Sequence, residues 1–196
     1  MCNEGDPCPQ CQTPMDSAGY HMAICKKGPS VVHRHHSLRD LIADFCSKAA
    51  LSPSIEFNCF SSSNLTPADV YLPRGGVSGI PLALDVTVIH PLQDSLLSKS
   101  STESGQGCAF AEAKKHKKYD LLSQEENIDF IPLVVEFFGS WGPEANKFFS
   151  KLAKSIAGRT GSSVTDVALQ IQRQLCVCLI RCNAKAVAKR TSVLSE

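Results

Sequence analysis

The chain has 196 residues, a length that allows one domain with a substantial core and a small additional segment. Its 20 basic and 19 acidic residues give a formal charge of +1, so overall charge predicts neither an acidic nor a basic partner. No apolar run approaches the roughly 18–20 residues of a membrane span and no signal-peptide pattern is found, so we expect an intracellular protein without a membrane partner. The ten cysteines are then expected to be free thiols and metal ligands, not disulfides.

The first 30 residues contain glycine, proline and cysteine without hydrophobic periodicity and cannot form a core unaided. Two cysteines separated by two residues, then a histidine and a cysteine separated by three, are the ligand types that hold zinc tetrahedrally. Metal binding would supply the missing folding free energy, roughly 10–16 kcal/mol in zinc-finger peptides. The spacing therefore predicts a structural zinc knuckle over residues 1–32; the alternative is a chance grouping. The predicted ligands are Cys8, Cys11, His21 and Cys25, with His33 as a substitute for His21.

The rest of the chain alternates between helical and strand patterns. Apolar residues recur with helical spacing over 37–50, where Ser37 is the expected N-cap. Strands are predicted near 54–60, 68–72, 82–90 and 129–138, and further helices near 108–122, 143–157 and 163–190. A segment rich in serine, glutamine and glycine, 91–107, is expected to form a long loop.

This order of elements predicts an α/β fold with a mixed central sheet flanked by helices. Residues 33–140 would form the core of that fold. The helices within 141–196 would form a C-terminal extension that packs on it.

Two aspartates, Asp69 and Asp85, stand beside short apolar runs of strand character. The glycine-containing segment 74–79 between them suits a turn that joins a strand to a returning strand. Such a path brings both carboxylates to one edge of the sheet, where a divalent cation such as Mg²⁺ would relieve their repulsion. The alternative is a turn cap at Asp69 and an unrelated edge residue at Asp85.

A lysine-rich segment, residues 114–118, lies in the predicted helix that follows. Lys115, Lys118 and Tyr119 have i, i+3 and i+4 spacing and share one face. Two carboxylates with nearby lysines are the groups that metal-assisted hydrolysis of a phosphodiester requires. In such a reaction, a lysine on this face could orient or deprotonate the attacking water, or neutralise the phosphate in the transition state. Lys114 and Lys117 project elsewhere and are expected to contact a nucleic-acid backbone or only solvent.

A second basic segment, residues 33–36, precedes the predicted helix 37–50. Arg34 and His35 within it could contact phosphate groups, while a linker role is an equal alternative. The basic residues near the C-terminus could also line a polyanion, although solvated helix faces explain them at least as well.

The ordered set of zinc knuckle, Arg-His, Pro-x-Asp, Asp-Val-Thr-Val and Lys-x-x-Lys-Tyr resembles a known domain. That domain is the restriction-like endonuclease at the C-terminal end of site-specific non-LTR retrotransposon polyproteins, which belongs to the PD-(D/E)XK nuclease superfamily. The resemblance covers roughly residues 5–140. It implies a restriction-endonuclease-like core, DNA as the partner and Mg²⁺-dependent nicking, and with these a nuclear location.

Carried to this sequence, the resemblance makes Asp69 and Asp85 the two acids of the motif. Thr87 stands where the superfamily has its lysine, and in the retrotransposon branch that lysine is displaced to the following helix. Lys115, with Lys118 as the second choice, is then the catalytic lysine, and Tyr119 joins the nucleic-acid contacts. Glu56 is a further candidate acid. The resemblance also implies a fragment or relic of a longer reverse-transcriptase polyprotein.

The main hypothesis is thus a metal-dependent DNA endonuclease with structural Zn²⁺ and catalytic Mg²⁺, and with no small-molecule cofactor. The alternative is a catalytically inactive zinc-containing module that binds DNA or RNA, in which both aspartates are structural. A third interpretation is a structural α/β protein with a zinc staple.

Overall fold

The computed structural model describes residues 4–17, 20–60, 68–91, 93, 96 and 105–191. The helices are α1 (Tyr20–Ile24), α2 (Ser30–Lys48), α3 (Gln106–Glu125), α4 (Pro143–Thr160) and α5 (Val164–Thr191). The strands are β1 (Ser54–Phe57), β2 (Ala68–Leu72), β3 (Leu82–Ile89) and β4 (Asp129–Glu136). This is the α/β order that the sequence predicts.

The four strands of the described residues form one mixed sheet in the order β1-β2-β3-β4. The first three strands are antiparallel neighbours, and β4 runs parallel to β3. A parallel pair needs a crossover connection, and α3 lies in that connection. The turn between β2 and β3 requires a glycine, because a Cβ added to Gly75 would lie 2.6 Å from the Cβ of Leu72.

Apolar side chains cover both faces of the sheet. On one face, alternate residues of β2, β3 and β4 pack against α2, α4 and α5 in the main core. On the other face, α3 lies over β3 and β4, and Tyr119 packs against Phe130 and Phe60. The alternation of a strand explains why Leu84 joins the main core and Ala83 the smaller cluster. Helices therefore flank the mixed sheet on both sides.

Helix α4 begins at the predicted residue, Pro143, and continues through Gly158 to Thr160, three residues beyond the predicted end at 157. Pro143 occupies the first turn, and Gly161 follows the last turn with a φ of 68°, a left-handed conformation that glycine adopts without strain. Apolar residues with helical spacing bury one side of α4. They include Ala145, Phe148, Phe149, Leu152 and Ile156.

The predicted and observed bounds differ most at α2. The sequence predicts a start at Ser37, whereas the helix begins at Ser30. The Ser37 hydroxyl donates a hydrogen bond to the carbonyl oxygen of His33, so it lies inside the helix and is not an N-cap. The predicted knuckle boundary at residue 32 falls within the first turn of α2. The predicted loop 91–107 lies mostly outside the described residues.

The C-terminal helix α5 joins the N-terminal segment to the rest of the fold. It packs against α1, α2 and α4. Near its end, the 2% exposed Arg190 donates through Nη2 to the carbonyl oxygens of Cys25, at 3.2 Å, and Lys27, at 3.5 Å. Although α5 has 28 residues, no helix of the described residues is apolar enough over a sufficient length to cross a bilayer.

Candidate active site and metal-binding cluster

The four predicted zinc ligands lie together. Their donor atoms are all within 4.8 Å of one another, and no other such group of three or more histidine, cysteine or acidic side chains occurs among the described residues. The sulfur of Cys25 lies 3.8 Å from that of Cys8 and 3.7 Å from that of Cys11. Two sulfurs on a tetrahedral zinc, each at about 2.3 Å, are separated by about 3.8 Å. The cluster of Cys8, Cys11, His21 and Cys25 could therefore hold a metal ion such as zinc.

Local backbone geometry brings the ligands together. A tight turn places Cys8 and Cys11 side by side, with the Gln12 amide donating to the Cys8 carbonyl. The Cys25 amide donates to the His21 carbonyl, so one helical turn aligns the other two ligands. The histidine of the cluster is His21. His33, the predicted substitute, lies in α2 and is not part of the cluster.

The thiols differ in their readiness to ionise. Hydrogen bonding to the side chain and backbone of Thr13 lowers the pKa of Cys11 to about 6. Burial raises the pKa of Cys25. Because zinc binds thiolates, Cys11 is the ligand best prepared to receive the metal.

Asp69 and Asp85 lie on neighbouring antiparallel strands. The pairing of β2 with β3 matches Val70 with Leu84 and Tyr71 with Ala83. The same register extended by one residue places Asp69 opposite Asp85. Directly opposed residues have Cβ atoms about 4.5–5.5 Å apart, so two like charges at this pair repel each other unless cations lie nearby.

A histidine from α2 contacts the first acid. Nε2 of His35 lies 3.1 Å from Oδ2 of Asp69, and the same oxygen accepts a 2.6 Å hydrogen bond from the Val86 amide. The hydrogen bond with Asp69 raises the pKa of His35 despite partial burial, and the charge of Asp85 adds to this effect. His35 thus links α2 to the first acid.

A lysine from α3 contacts the second acid. Nζ of Lys115 lies 2.9 Å from Oδ1 and 2.8 Å from Oδ2 of Asp85. The Thr87 hydroxyl donates a 2.9 Å hydrogen bond to Oδ2 of the same carboxylate. The side chains of Lys115 and Asp85 are 27% and 19% exposed, so solvent reaches the pair. The structure thus brings Asp69, Asp85, Lys115 and His35 into one group, which we call the acid site.

The other predicted residues of α3 lie elsewhere. Nζ of Lys118 contacts the Tyr119 hydroxyl at 2.8 Å and none of the acids of the described residues, which does not favour the catalytic role predicted for it. Tyr119 is 4% exposed inside the aromatic cluster, so its burial argues against the predicted nucleic-acid contact. Lys114 and Lys117 are exposed and remain candidates for such a contact.

Arg34 does not lie on the open surface. It is 7% exposed, and its Nη1 donates to Oδ1 of Asn183 on α5 at 2.8 Å. It points to a different side of α2 from His35, its neighbour in sequence, which belongs to the acid site. Consecutive helical residues diverge in this way, about 100° apart on the helix circumference.

Glu56 is paired with two residues of α2. Its carboxylate contacts the guanidinium of Arg39 on α2, and it lies 3.6 Å from Nε2 of His36. No contact joins Glu56 to Asp69 or Asp85 among the described residues, so Glu56 is not part of the acid site. Two contacts of the acid site were not predicted from the sequence: the Thr87 hydroxyl donating to Asp85, and His35 pairing with Asp69. An i, i+2 relation to Asp85 on one strand face could have indicated Thr87.

Glu112 fixes the helix that carries the acid-site lysine against α4. Its carboxylate accepts hydrogen bonds from the Glu144 amide in the first turn of α4, and it is 2% exposed. A Cβ at Gly142 would collide with this carboxylate, so any larger residue there would displace the Glu112 side chain. Burial, with the charge of Glu144, raises the pKa of Glu112 to about 7.

Comparison with models of known protein families and with curated proteins finds no match to this chain. The site is therefore interpreted from its own geometry and chemistry.

Proposed function

We propose that this chain is a metal-dependent endonuclease that hydrolyses phosphodiester bonds of DNA. The observation that carries the proposal is the acid site. Asp69 and Asp85 are opposed on neighbouring strands, and Lys115 from a separate helix lies on the second carboxylate. Two acids and an amine that solvent can reach are the groups that metal-assisted phosphodiester hydrolysis requires.

Each residue of the acid site has a role in this proposal. Asp69 and Asp85 would hold Mg²⁺, a hard cation that prefers carboxylate oxygens. When bound, the ion supplies Lewis-acid activation of the phosphate and of water. Lys115 would orient the attacking water or neutralise charge on the phosphate. Thr87 holds one oxygen of Asp85 and so orients that carboxylate.

The order of elements also supports the proposal. A helix, three antiparallel strands, a crossover helix and a parallel strand follow one another from α2 to β4. We propose that this unit is a restriction-endonuclease-like core, as the resemblance to the retrotransposon nucleases implies. A chromosomal DNA substrate would place the protein in the nucleus, and an origin in a longer reverse-transcriptase polyprotein belongs to the same proposal.

Plasmid nicking tests the proposal. Supercoiled DNA incubated with the zinc-loaded protein and Mg²⁺ is expected to become open circular, and EDTA is expected to stop the reaction. Asp69→Asn is expected to abolish nicking, whereas Asp44→Asn, at an exposed acid of α2 paired with Lys48, is not. Equal nicking by the wild type and Asp69→Asn would refute the proposed mechanism.

A second candidate function is a nucleic-acid-binding module without catalysis. It is favoured by one observation: both acids already have a basic partner, His35 for Asp69 and Lys115 for Asp85. In that case the acids would be structural ion pairs. Salt-sensitive DNA binding without nicking in Mg²⁺ would identify this function.

A further inference from the structure

A cavity of about 220 Å³ lies where the N-terminal segment meets the core. We call it the junction cavity. It is lined by the end of α1, the start of α2 and the end of β3, and its volume corresponds to about seven liquid water molecules. Its polar and aromatic lining includes Lys26, Arg34, His90 and Phe137.

Arg34 is a buried cation without an acidic partner among the described residues. Its Nη1 contacts the neutral amide of Asn183, and its guanidinium carbon lies 5.3 Å from the ring centroid of Phe137. Its Nε has no hydrogen-bond partner in the part of the chain that the structure describes. Burying a charge is costly unless a charge of opposite sign compensates it, so Arg34 lacks the expected anion.

A second buried guanidinium nearby increases this positive charge. Arg190 contacts only backbone carbonyls of the described residues. Burial lowers the pKa of Arg34, and the charge of Arg190 adds a smaller effect in the same direction. A loaded cluster of three thiolates, one neutral imidazole and Zn²⁺ carries a net charge of −1. That charge would compensate Arg190, which is bonded to the Cys25 carbonyl. Arg34 would still lack an anion, and the exposed Lys26 adds a second positive charge at the mouth of the cavity.

We propose that the junction cavity binds a phosphate-type oxyanion through Arg34 and Lys26. A guanidinium presents several N–H donors in a fork that matches phosphate oxygens, and a lysine adds a mobile point charge. The cavity contacts Val88 of β3, three residues beyond Asp85, or about 10 Å along the strand. The oxyanion is inorganic phosphate or a phosphate group of a nucleic acid. This inference goes beyond the proposed function, because oxyanion binding in the junction cavity requires neither Asp69 nor Asp85 and does not depend on DNA cleavage.

Isothermal titration of the zinc-loaded protein with sodium phosphate, at constant ionic strength, tests the proposal. The wild type is expected to bind one phosphate saturably, and Lys26→Gln and Arg34→Gln are expected to weaken binding at least tenfold. Lys27→Gln is the matched control, because the side chain of Lys27 does not line the cavity. Absence of saturable binding by the wild type, or equal binding by Lys26→Gln and Lys27→Gln, would overturn the proposal.

Two further measurements complete the test. If a short oligodeoxynucleotide displaces phosphate from the wild type but has no additional effect on Lys26→Gln, the natural source is a nucleic acid; if it does not displace phosphate, the source is the free anion. Asp94 follows the lining residue Gln93 and lies outside the described residues. Phosphate binding that appears only in Asp94→Asn would mean that the anion is the chain's own carboxylate, which contradicts the proposal.

Discussion

Lys115 and Asp85 form an ion pair between α3 and β3, with Nζ at 2.8 Å and 2.9 Å from the two carboxylate oxygens. Thirty residues separate them in sequence, and the crossover between two parallel strands brings them together. The pair links one acid of the proposed catalytic site to its amine.

Replacing Lys115 is expected to impair cleavage without loss of DNA binding. Lys115→Ala removes the only lysine ammonium that contacts Asp85 among the described residues, and the rate is expected to fall by about 10²–10³. Lys114→Ala removes an adjacent, exposed lysine and is expected to change the rate little. The two variants are compared by their cleavage rates at saturating enzyme, where all the DNA is bound. Equal losses would mean that Lys115 has no special role.

A lysine introduced at position 87 is expected to take over the catalytic role of Lys115. The Thr87 hydroxyl already lies 2.9 Å from Oδ2 of Asp85, so a lysine there could bring an ammonium to the same carboxylate. The double variant Lys115→Ala/Thr87→Lys should cleave at least ten times faster than Lys115→Ala. Thr87→Lys alone measures any independent effect of the substitution. A double variant no faster than Lys115→Ala would argue against an interchangeable amine.

Zinc is expected to be bound with a stoichiometry of one and to stabilise the fold. Cys25→Ser removes a ligand and should lose both the metal and the thermal stability that zinc confers. Cys176→Ser alters an exposed thiol outside the cluster and should retain both. Metal analysis and thermal unfolding, with and without a chelator, provide the measurements. Full zinc content in Cys25→Ser would contradict the assignment of the cluster.

Stability is expected to depend on the ionisation of Glu112. Its pKa is raised to about 7 in the folded protein, so the folded state holds the proton more tightly than the unfolded chain does. The free energy of unfolding should therefore fall as pH rises from about 4.5 to about 7. Glu112→Gln keeps an acceptor oxygen and removes this loss, so at pH 8 it should be more stable than the wild type, by on the order of 3 kcal/mol.

Denaturant unfolding at several pH values measures this difference. Glu125→Gln, at an exposed position near the end of α3, serves as the control and should follow the wild-type pH profile. Parallel curves for the wild type and Glu112→Gln would show that Glu112 does not titrate as proposed.

Sequence patterns predicted the elements of this fold well where periodicity was strong. The apolar runs of β3 and β4 and the amphipathic α4 lie close to their predicted positions. The start of α2 was missed because residues 30–36 have only two adjacent valines among basic and polar residues and so show no apolar periodicity, although Arg34 is buried there. Burial of a charged residue depends on its tertiary partner, here Asn183, which the local sequence cannot indicate.

The candidate site was predictable only in part for the same reason. Ligand spacing within a short segment indicated the Cys8–Cys25 cluster, since one turn and one helical turn set its geometry. The i, i+3 and i+4 rule placed Lys118 beside Lys115, but it could not show that Lys118 binds Tyr119 instead of an acid. The pairing of His35 with Asp69 joins two elements and required the folded chain.

The most direct test of the central proposal is a paired measurement of DNA binding and single-turnover cleavage for Asp85→Asn, with Asp44→Asn as the control. A catalytic role predicts that Asp85→Asn binds DNA within a few-fold of the wild type but cleaves at least about a hundredfold more slowly, while Asp44→Asn matches the wild type in both. Wild-type cleavage by Asp85→Asn, or no cleavage by any of the three proteins in Mg²⁺, would contradict it.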